Sequence, residues 1–201
     1  MSHYYVNDET LAHDEQILDV IVKDVSLRFY TDRGVFSKGG LDFGTKVLLQ
    51  AINLPQTVKT VIDMGSGYGP ISIYLAKVYP EIFVYAYDVN ERAVALTKKN
   101  IKENKVNNVE AHVSFLFEHV KIKVDTVVTN PPIRAGKQVV FELYEGAYHA
   151  LNDGGLFYVV IQKKQGAPSS VTKLQELFGN CEIIERSGGY WILLAKKHEN
   201  D

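Results

Sequence analysis

A single cysteine, Cys181, stands among the 201 residues. Without a second thiol there is no internal disulfide and no multi-cysteine zinc site, and the apolar stretch CEII reads Cys181 as a buried strand residue. Charge of one sign is also not in excess. The 22 Lys and Arg oppose 24 Asp and Glu, giving a formal net charge of −2. That balance excludes a protein coated in positive charge, while a local basic patch could still meet a polyanion. Long apolar runs are missing as well: no stretch approaches the ~20 residues of a membrane span, and MSHYYVNDET has no apolar signal core. A cytoplasmic location is the resulting expectation. The six histidines lack metal-ligand spacing such as HExxH, so no metal is expected. Repeats, low-complexity tracts and linkers are absent too, which limits the boundary question to the first forty or so residues.

The remaining composition, 46% apolar and 23% charged, is that of one ordinary globular domain. TKVLLQAIN, residues 45–53, has helical spacing with Val47, Leu48, Ala51 and Ile52 on one face, closed by Leu54-Pro55. TVIDMGSGYG is then a short strand ending in glycines, and PISIYLAKVY opens a helix with proline in its first turn. IFVYAYDV is a second strand and NERAVALTKKNIKENK a second helix, with Asn90 as N-cap and Glu91 in the first turn. VEAHVSFL and VDTVVT supply the third and fourth strands. ELYEGAYHALNDGG reads as a helix with a glycine stop, and LFYVVIQ as the fifth strand. SSVTKLQELFGN reads as a helix capped by serine and closed by glycine, and CEIIERSGGYWILLAKK as a hairpin about Ser187-Gly188-Gly189. Strands alternating with helices predict an α/β sheet covered on both faces, with one antiparallel strand from the terminal hairpin.

DMGSGYG places glycines at 65, 67 and 69 in a strand-to-helix turn. Such a turn lets backbone approach a ligand closely and offers amide donors at a helix start. The dinucleotide fingerprint requires a further glycine three positions after the second, but residue 70 is Pro70. A cofactor without pyrophosphate fits better, and S-adenosylmethionine is one. Asp88, nineteen positions after Gly69, ends the next strand, where a carboxylate can accept from both ribose hydroxyls. Asp63 ends the first strand, placed to brace the glycine loop or to reach a ligand ammonium. A tight turn and a helix-flanking acid would explain either feature alone; their spacing favours the cofactor.

VDTVVT stops at Asn130-Pro131-Pro132-Ile133. Asn-Pro alone starts many turns. At the carboxyl end of a fourth strand, however, the prolines stiffen a loop beside the expected ligand crevice and hold one carboxamide and one carbonyl in place. Two fixed acceptors suit an exocyclic base amine, whose lone pair is delocalised into the ring. If the Asn130 side-chain oxygen and the Pro131 carbonyl each accept one N–H, the nitrogen becomes tetrahedral and faces the methyl donor.

DMGSGYGP, YAYDVNERAV, TNPPIRAGK and VIQKKQGAPS together resemble the small-domain class I S-adenosylmethionine-dependent methyltransferases related to the ribosomal RNA guanine-N2 methyltransferases. RFYTDRGVFSKGGLDFGT resembles that family's segment ahead of the fold proper. The resemblance covers nearly the whole chain. It implies a Rossmann-like α/β fold, a seven-stranded mostly parallel sheet with one antiparallel strand and helices on both faces. Residues 45–201 would form the methyltransferase domain, with 1–44 packing on it or capping it. The implied cofactor is S-adenosylmethionine, the implied partner ribosomal RNA or the small ribosomal subunit, and the implied reaction methylation of a guanine N2 amine.

By the same resemblance Asp63, Gly65, Ser66 and Gly67 form the cofactor loop, Asp88 is the ribose acid, Val89 and Phe115 are further cofactor-binding positions, and Asn130, Pro131 and Pro132 clamp the amine, with Asn130 also at the cofactor. Ile133 takes the motif's fourth place, where adenine-N6 and glutamine methyltransferases usually carry Tyr or Phe, and so tilts the reading to guanine. Phe115 stands where the family usually has an Asp that accepts from the adenine amino group; that contact then falls to a backbone carbonyl or is lost. Arg134, Lys137, Lys163 and Lys164 share the expected site edge and are candidate RNA phosphate contacts. Arg33, Lys38 and Gly39-Gly40 could extend that surface, and Phe36 is the aromatic to watch near a pocket. Most other Tyr and Phe sit in strand patterns as core. The competing functions are an adenine-N6 or protein glutamine-N5 methyltransferase on the same clamp, and a non-catalytic cofactor- or RNA-binding protein.

Overall fold

The structure, a computed structural model, describes residues 7, 9–10, 12–33, 35 and 40–199. Chain order begins with a two-stranded hairpin, β1 (Gln16–Val22) and β2 (Val25–Thr31), turned on Lys23 and Asp24 at positive φ. Helix α1 (Phe43–Ala51) follows, then β3 (Thr60–Met64), α2 (Pro70–Val78), β4 (Phe83–Asp88), α3 (Glu91–Glu103), β5 (Val109–Val113) and β6 (Val124–Thr129). The chain ends with α4 (Lys137–Ala150), β7 (Leu151–Gln162), α5 (Ala167–Phe178), β8 (Glu182–Ser187) and β9 (Tyr190–Lys196).

Strands β3 to β9 form one seven-stranded sheet in the order β5-β4-β3-β6-β7-β9-β8. All pairings from β5 to β7 are parallel, and β9 runs antiparallel between β7 and β8. This is the expected class I arrangement. Strand alternation divides the core into two layers: along β3, Val61 joins a cluster with Leu48, Ile73 and Leu75, while Ile62 and Met64 join Leu143, Tyr144 and Leu174 on the opposite face. Helices α1 to α3 therefore cover one face and α4 and α5 the other.

Asn90 caps α3 as expected, its side chain accepting from Ala93 N at 3.0 Å. Two other ends differ from the sequence reading. Helix α4 does not run to Gly154-Gly155 but stops at Ala150, and Asn152 to Gly155 belong to β7, opposite a register irregularity in β6. Helix α5 is not capped by serine. Gly166 in the left-handed region starts it at Ala167-Pro168, and the Ser169 hydroxyl donates to Gly166 O instead.

The β1–β2 hairpin is fastened to α3 by two asparagines one helical turn apart. Asn104 accepts from Arg28 N (3.0 Å) and donates to Arg28 O (2.8 Å); Asn100 accepts from Tyr30 N (2.7 Å) and donates to Tyr30 O (3.0 Å). The carboxamides thus replace a neighbouring strand along the free edge of β2. Helix α1 begins at Phe43, so residue 44, the boundary suggested by the sequence, falls inside it.

Candidate active site

The order reverses between β3 and β6, which opens the crevice at their carboxyl ends. Register then fixes what lines it. Met64 pairs with Tyr87 and with Thr129, and Asp88 with Val113, so Gly65, Asp88, Ser114 and Asn130 leave the sheet along one edge.

In the glycine loop, Gly65 N and Ser66 N donate to Tyr87 O (2.8 and 3.0 Å), and Gly67 N donates to Asp88 Oδ2 (2.8 Å). Asn90 N donates to Asp88 Oδ1 (2.9 Å). Asp88, only 2% exposed, therefore binds the loop to the start of α3 as well as facing the crevice. Two backbone donors take up about half of a carboxylate's acceptor positions. Gly69, at φ 98, lies against α3: a Cβ there would come 3.0 Å from the Thr97 methyl. Neither the backbone angle nor the space suits a larger residue.

Asp63 is fully buried. Its Oδ2 accepts from Ser72 N (3.1 Å) and Ser72 Oγ (2.7 Å), while Oδ1 has no hydrogen-bond partner. Burial is the main cause that raises its pKa to about 7, with the nearby Asp88 charge adding to it. The buried Ser66 hydroxyl is likewise without a partner. Val89 is half-buried, and Phe115, in the place of the family's Asp, is 38% exposed beyond Ser114, whose N–H donates to Asp88 O (2.9 Å).

Asn130 faces this loop. A Cβ on Gly65 would lie 3.8 Å from Asn130 O, so the Asn130-Pro131-Pro132 segment and the glycine loop adjoin. The Asn130 amide nitrogen donates to Asp42 Oδ2 (2.9 Å) and Thr45 Oγ1 (3.1 Å). A carboxylate only accepts, so Asp42 fixes which end of the carboxamide is nitrogen and turns Oδ1 away as the presented acceptor. Asp42 Oδ2 also accepts from Thr45 N (2.9 Å), capping α1. Neither Asp42 nor Thr45 was singled out from the sequence.

The Pro131 carbonyl already has one donor. It accepts from Ile133 N at 2.9 Å across Pro132, whose φ −76 and ψ 76 make an inverse γ-turn. One lone pair remains. Pro132 O accepts from Ala135 N (3.0 Å), and the single turn of 3-10 helix Ile133–Ala135 carries on the rigid segment. Ile133 is half-buried against the second core layer, and the exposed Arg134 and Lys137 follow it. Lys163 and Lys164 are exposed on a 3-10 turn after β7, at the same edge. Phe36, Lys38 and Gly39 lie outside the described residues. Among the described residues no helix is long and apolar enough to cross a membrane, and no group of three His, Cys, Asp or Glu could hold a metal ion.

Fold, switch-point crevice, glycine loop and the acid that ends β4 fit a class I S-adenosylmethionine-dependent methyltransferase. Residues 26–194 match the methyltransferase small domain family, and the chain belongs to it. It is 39% identical over 197 residues to the uncharacterized protein YbxB of Bacillus subtilis, covering 97% of this chain and 98% of that one. It is 33% identical over 166 residues to ribosomal RNA small subunit methyltransferase C of Escherichia coli, 81% of this chain and 47% of that one. Among solved structures, the T. thermophilus 16S rRNA N2 G1207 methyltransferase in complex with AdoMet and guanosine superimposes with a TM-score of 0.81 at 25% identity, over 92% of this chain and 51% of that one. The chain thus spans about half the length of the ribosomal RNA methyltransferases it matches.

The residues present fit the cofactor: the partnerless Asp63 Oδ1 and Ser66 hydroxyl, the exposed backbone of Gly65 and the Asp88 carboxylate supply polar groups of the required kinds along one crevice. Bound there, S-adenosylmethionine supplies an electrophilic methyl group on a sulfonium.

Proposed function

We propose that this chain methylates the exocyclic N2 amine of a guanine in small-subunit ribosomal RNA. The observation that carries the reading is the fixed carboxamide of Asn130, whose nitrogen is held by Asp42 and Thr45 so that its oxygen is left for a donor. An amine offers two N–H donors. Asn130 Oδ1 accepts one and the remaining lone pair of Pro131 O accepts the other, which draws the nitrogen out of conjugation and sets its lone pair toward the methyl. Alignment would replace a strong base: as the new N–C bond forms, the S–CH3 bond of the sulfonium would break, the neutral thioether S-adenosylhomocysteine would leave and the amine proton would pass to solvent. The half-buried Ile133 in the motif's fourth place, and likeness to the T. thermophilus 16S rRNA N2 G1207 methyltransferase, support guanine over adenine or glutamine.

The test supplies labelled cofactor with unmethylated 30S subunits, 50S subunits, free ribosomal RNA and a peptide-release factor in separate reactions. Label in 16S RNA, located on guanine N2 by mass spectrometry and lost in Asn130→Ala while cofactor affinity persists, is the expected result. The 50S arm is warranted by a second likeness, 30% identity over 190 residues to ribosomal RNA large subunit methyltransferase G of Shewanella loihica. Label confined to 23S RNA or to protein overturns the assignment.

A further inference from the structure

Phe43 stands at the first position of α1, immediately after Asp42, with its ring 50% exposed. A large apolar ring at a helix start gains little from the core, yet here it is held. It lies against the tip of the β8–β9 hairpin, where a Cβ on Gly188 would collide with the ring, 2.8 Å from Cζ. The Tyr190 ring is its neighbour, centroids 5.8 Å apart and tilted by 55°. Tyr190 in turn needs Gly44, where a Cβ would come 2.7 Å from its Cε1. Two glycines thus make room for one pair of rings, which positions the exposed ring without burying it.

The surroundings of the ring point to what it receives. On one side its chain neighbour Asp42 accepts from the Asn130 carboxamide nitrogen at 2.9 Å, which ties the start of α1 to the segment that would receive the amine. On the other side Gly189 O accepts from Lys163 N at 2.8 Å, which joins the hairpin tip to the exposed pair Lys163 and Lys164. Through these links the start of α1 and the hairpin tip connect a hydrogen-bond acceptor, an exposed ring and two exposed cations. That set of groups matches an unpaired nucleotide, with its base stacked on a ring and its phosphate near a lysine.

We propose that Phe43, supported by Tyr190, is a stacking platform for an unpaired nucleobase of the RNA substrate at the mouth of the amine site. The proposal rests on the RNA reading above and adds a specific contact to it. Stacking tolerates any base, so Phe43 contributes affinity for single-stranded RNA and not the choice of nucleotide.

The experiment uses the full chain with a fluorescently labelled single-stranded RNA oligonucleotide, followed by methyl-transfer kinetics on the RNA that the wild type modifies. Phe43→Ala and Phe43→Leu should each weaken oligonucleotide binding and raise KM for RNA by roughly five- to hundredfold, with kcat and cofactor affinity changed by less than about twofold. Phe43→Trp should restore both, and in a Trp191→Phe background its fluorescence should be quenched on RNA binding. Because Phe43 is half exposed, none of these variants threatens the fold. If Phe43→Ala or Phe43→Leu methylates RNA with wild-type KM, the platform is refuted while the RNA reading stands. If the wild type binds no RNA and labels only protein, both fall together.

Discussion

Asn130, at the end of β6, and Asp42, the N-cap of α1, are joined by a 2.9 Å hydrogen bond across 88 positions of sequence. In the proposed mechanism the contact makes Asp42 a positioning residue, since it would act on the reacting centre only through the carboxamide it turns. Asp42→Ala should lower kcat about a hundredfold, the order expected for a misplaced reacting group, with KM and cofactor affinity little changed. Loss of the cap to Thr45 N should cost about 1 kcal/mol of stability as well. Asp42→Asn keeps an oxygen able to accept from Asn130 and should retain most of both. Equal kcat in wild type and Asp42→Ala, measured with saturating cofactor, would remove Asp42 from the mechanism.

The two asparagines of α3 divide their work unequally. Asn104 serves Arg28 and the Asn100 carbonyl, whereas Asn100 serves Tyr30 and also donates to Tyr68 O (2.8 Å) in the glycine loop. Either alanine substitution leaves partly buried backbone groups of β2 without their partner and should cost about 1–3 kcal/mol, with faster hydrogen exchange in β2. Only Asn100→Ala should also weaken cofactor binding, because only it releases the loop. Titration of both variants with S-adenosylmethionine separates the two effects, and equal losses would refute the coupling.

Much of this was legible in the sequence because it is local. Apolar periodicity gave all seven strands of the main sheet, the Gly188-Gly189 dipeptide located the terminal turn, and DMGSGYG with Asp88 located the cofactor crevice. The hairpin β1–β2 was faint because its turn uses Lys23 and Asp24 at positive φ instead of glycine. The end of α4 was misjudged because Gly154 and Gly155 read as a helix stop, although Gly155 serves β7, where a Cβ would meet Leu151 and Asn152 O at 2.8 Å. Asp42, Thr45 and Phe43 were missed for a different reason. In the sequence LDFGT merely precedes the helical run; only the fold brings it against residues 130 and 188. An aspartate followed at once by an aromatic residue, just ahead of a helical run, is the signal that could have drawn attention to it.

Gly146 sits in the middle of α4, where replacing glycine by alanine ordinarily gains about 1 kcal/mol. Here the sign reverses. The Phe117 ring, from the loop after β5, packs onto Gly146, and a Cβ would collide with it, 2.9 Å from Cγ. Since that loop also carries Ser114 and Phe115, Gly146→Ala should destabilise the protein by about 1–3 kcal/mol and disturb the cofactor crevice. Phe117→Leu in the same chain should relieve the collision and recover stability. Denaturant midpoints of the two single variants and the double variant test this, and simple additivity would contradict it.

Asp63 ties stability to pH. Burial lifts its pKa from 3.8 to about 7, so the folded protein holds a proton there that the unfolded chain loses near pH 4. The sign follows directly: the Asp63 contribution is fully present below the unfolded pKa and is lost as pH rises through about 7. Cofactor-free protein should therefore lose stability between mildly acidic and neutral pH, by an amount of order 2–4 kcal/mol from this group. Asp63→Asn retains an oxygen for Ser72 and removes the buried charge. It should flatten the dependence of Tm on pH and leave the cofactor-free variant more stable than wild type above about pH 7. The same change should weaken S-adenosylmethionine, because a cationic ligand group near the partnerless Oδ1 is what would hold the carboxylate ionised. Thermal melts across this pH range, with and without cofactor, check both halves. A variant less stable than wild type at alkaline pH would show that the buried carboxylate serves the fold and not the ligand.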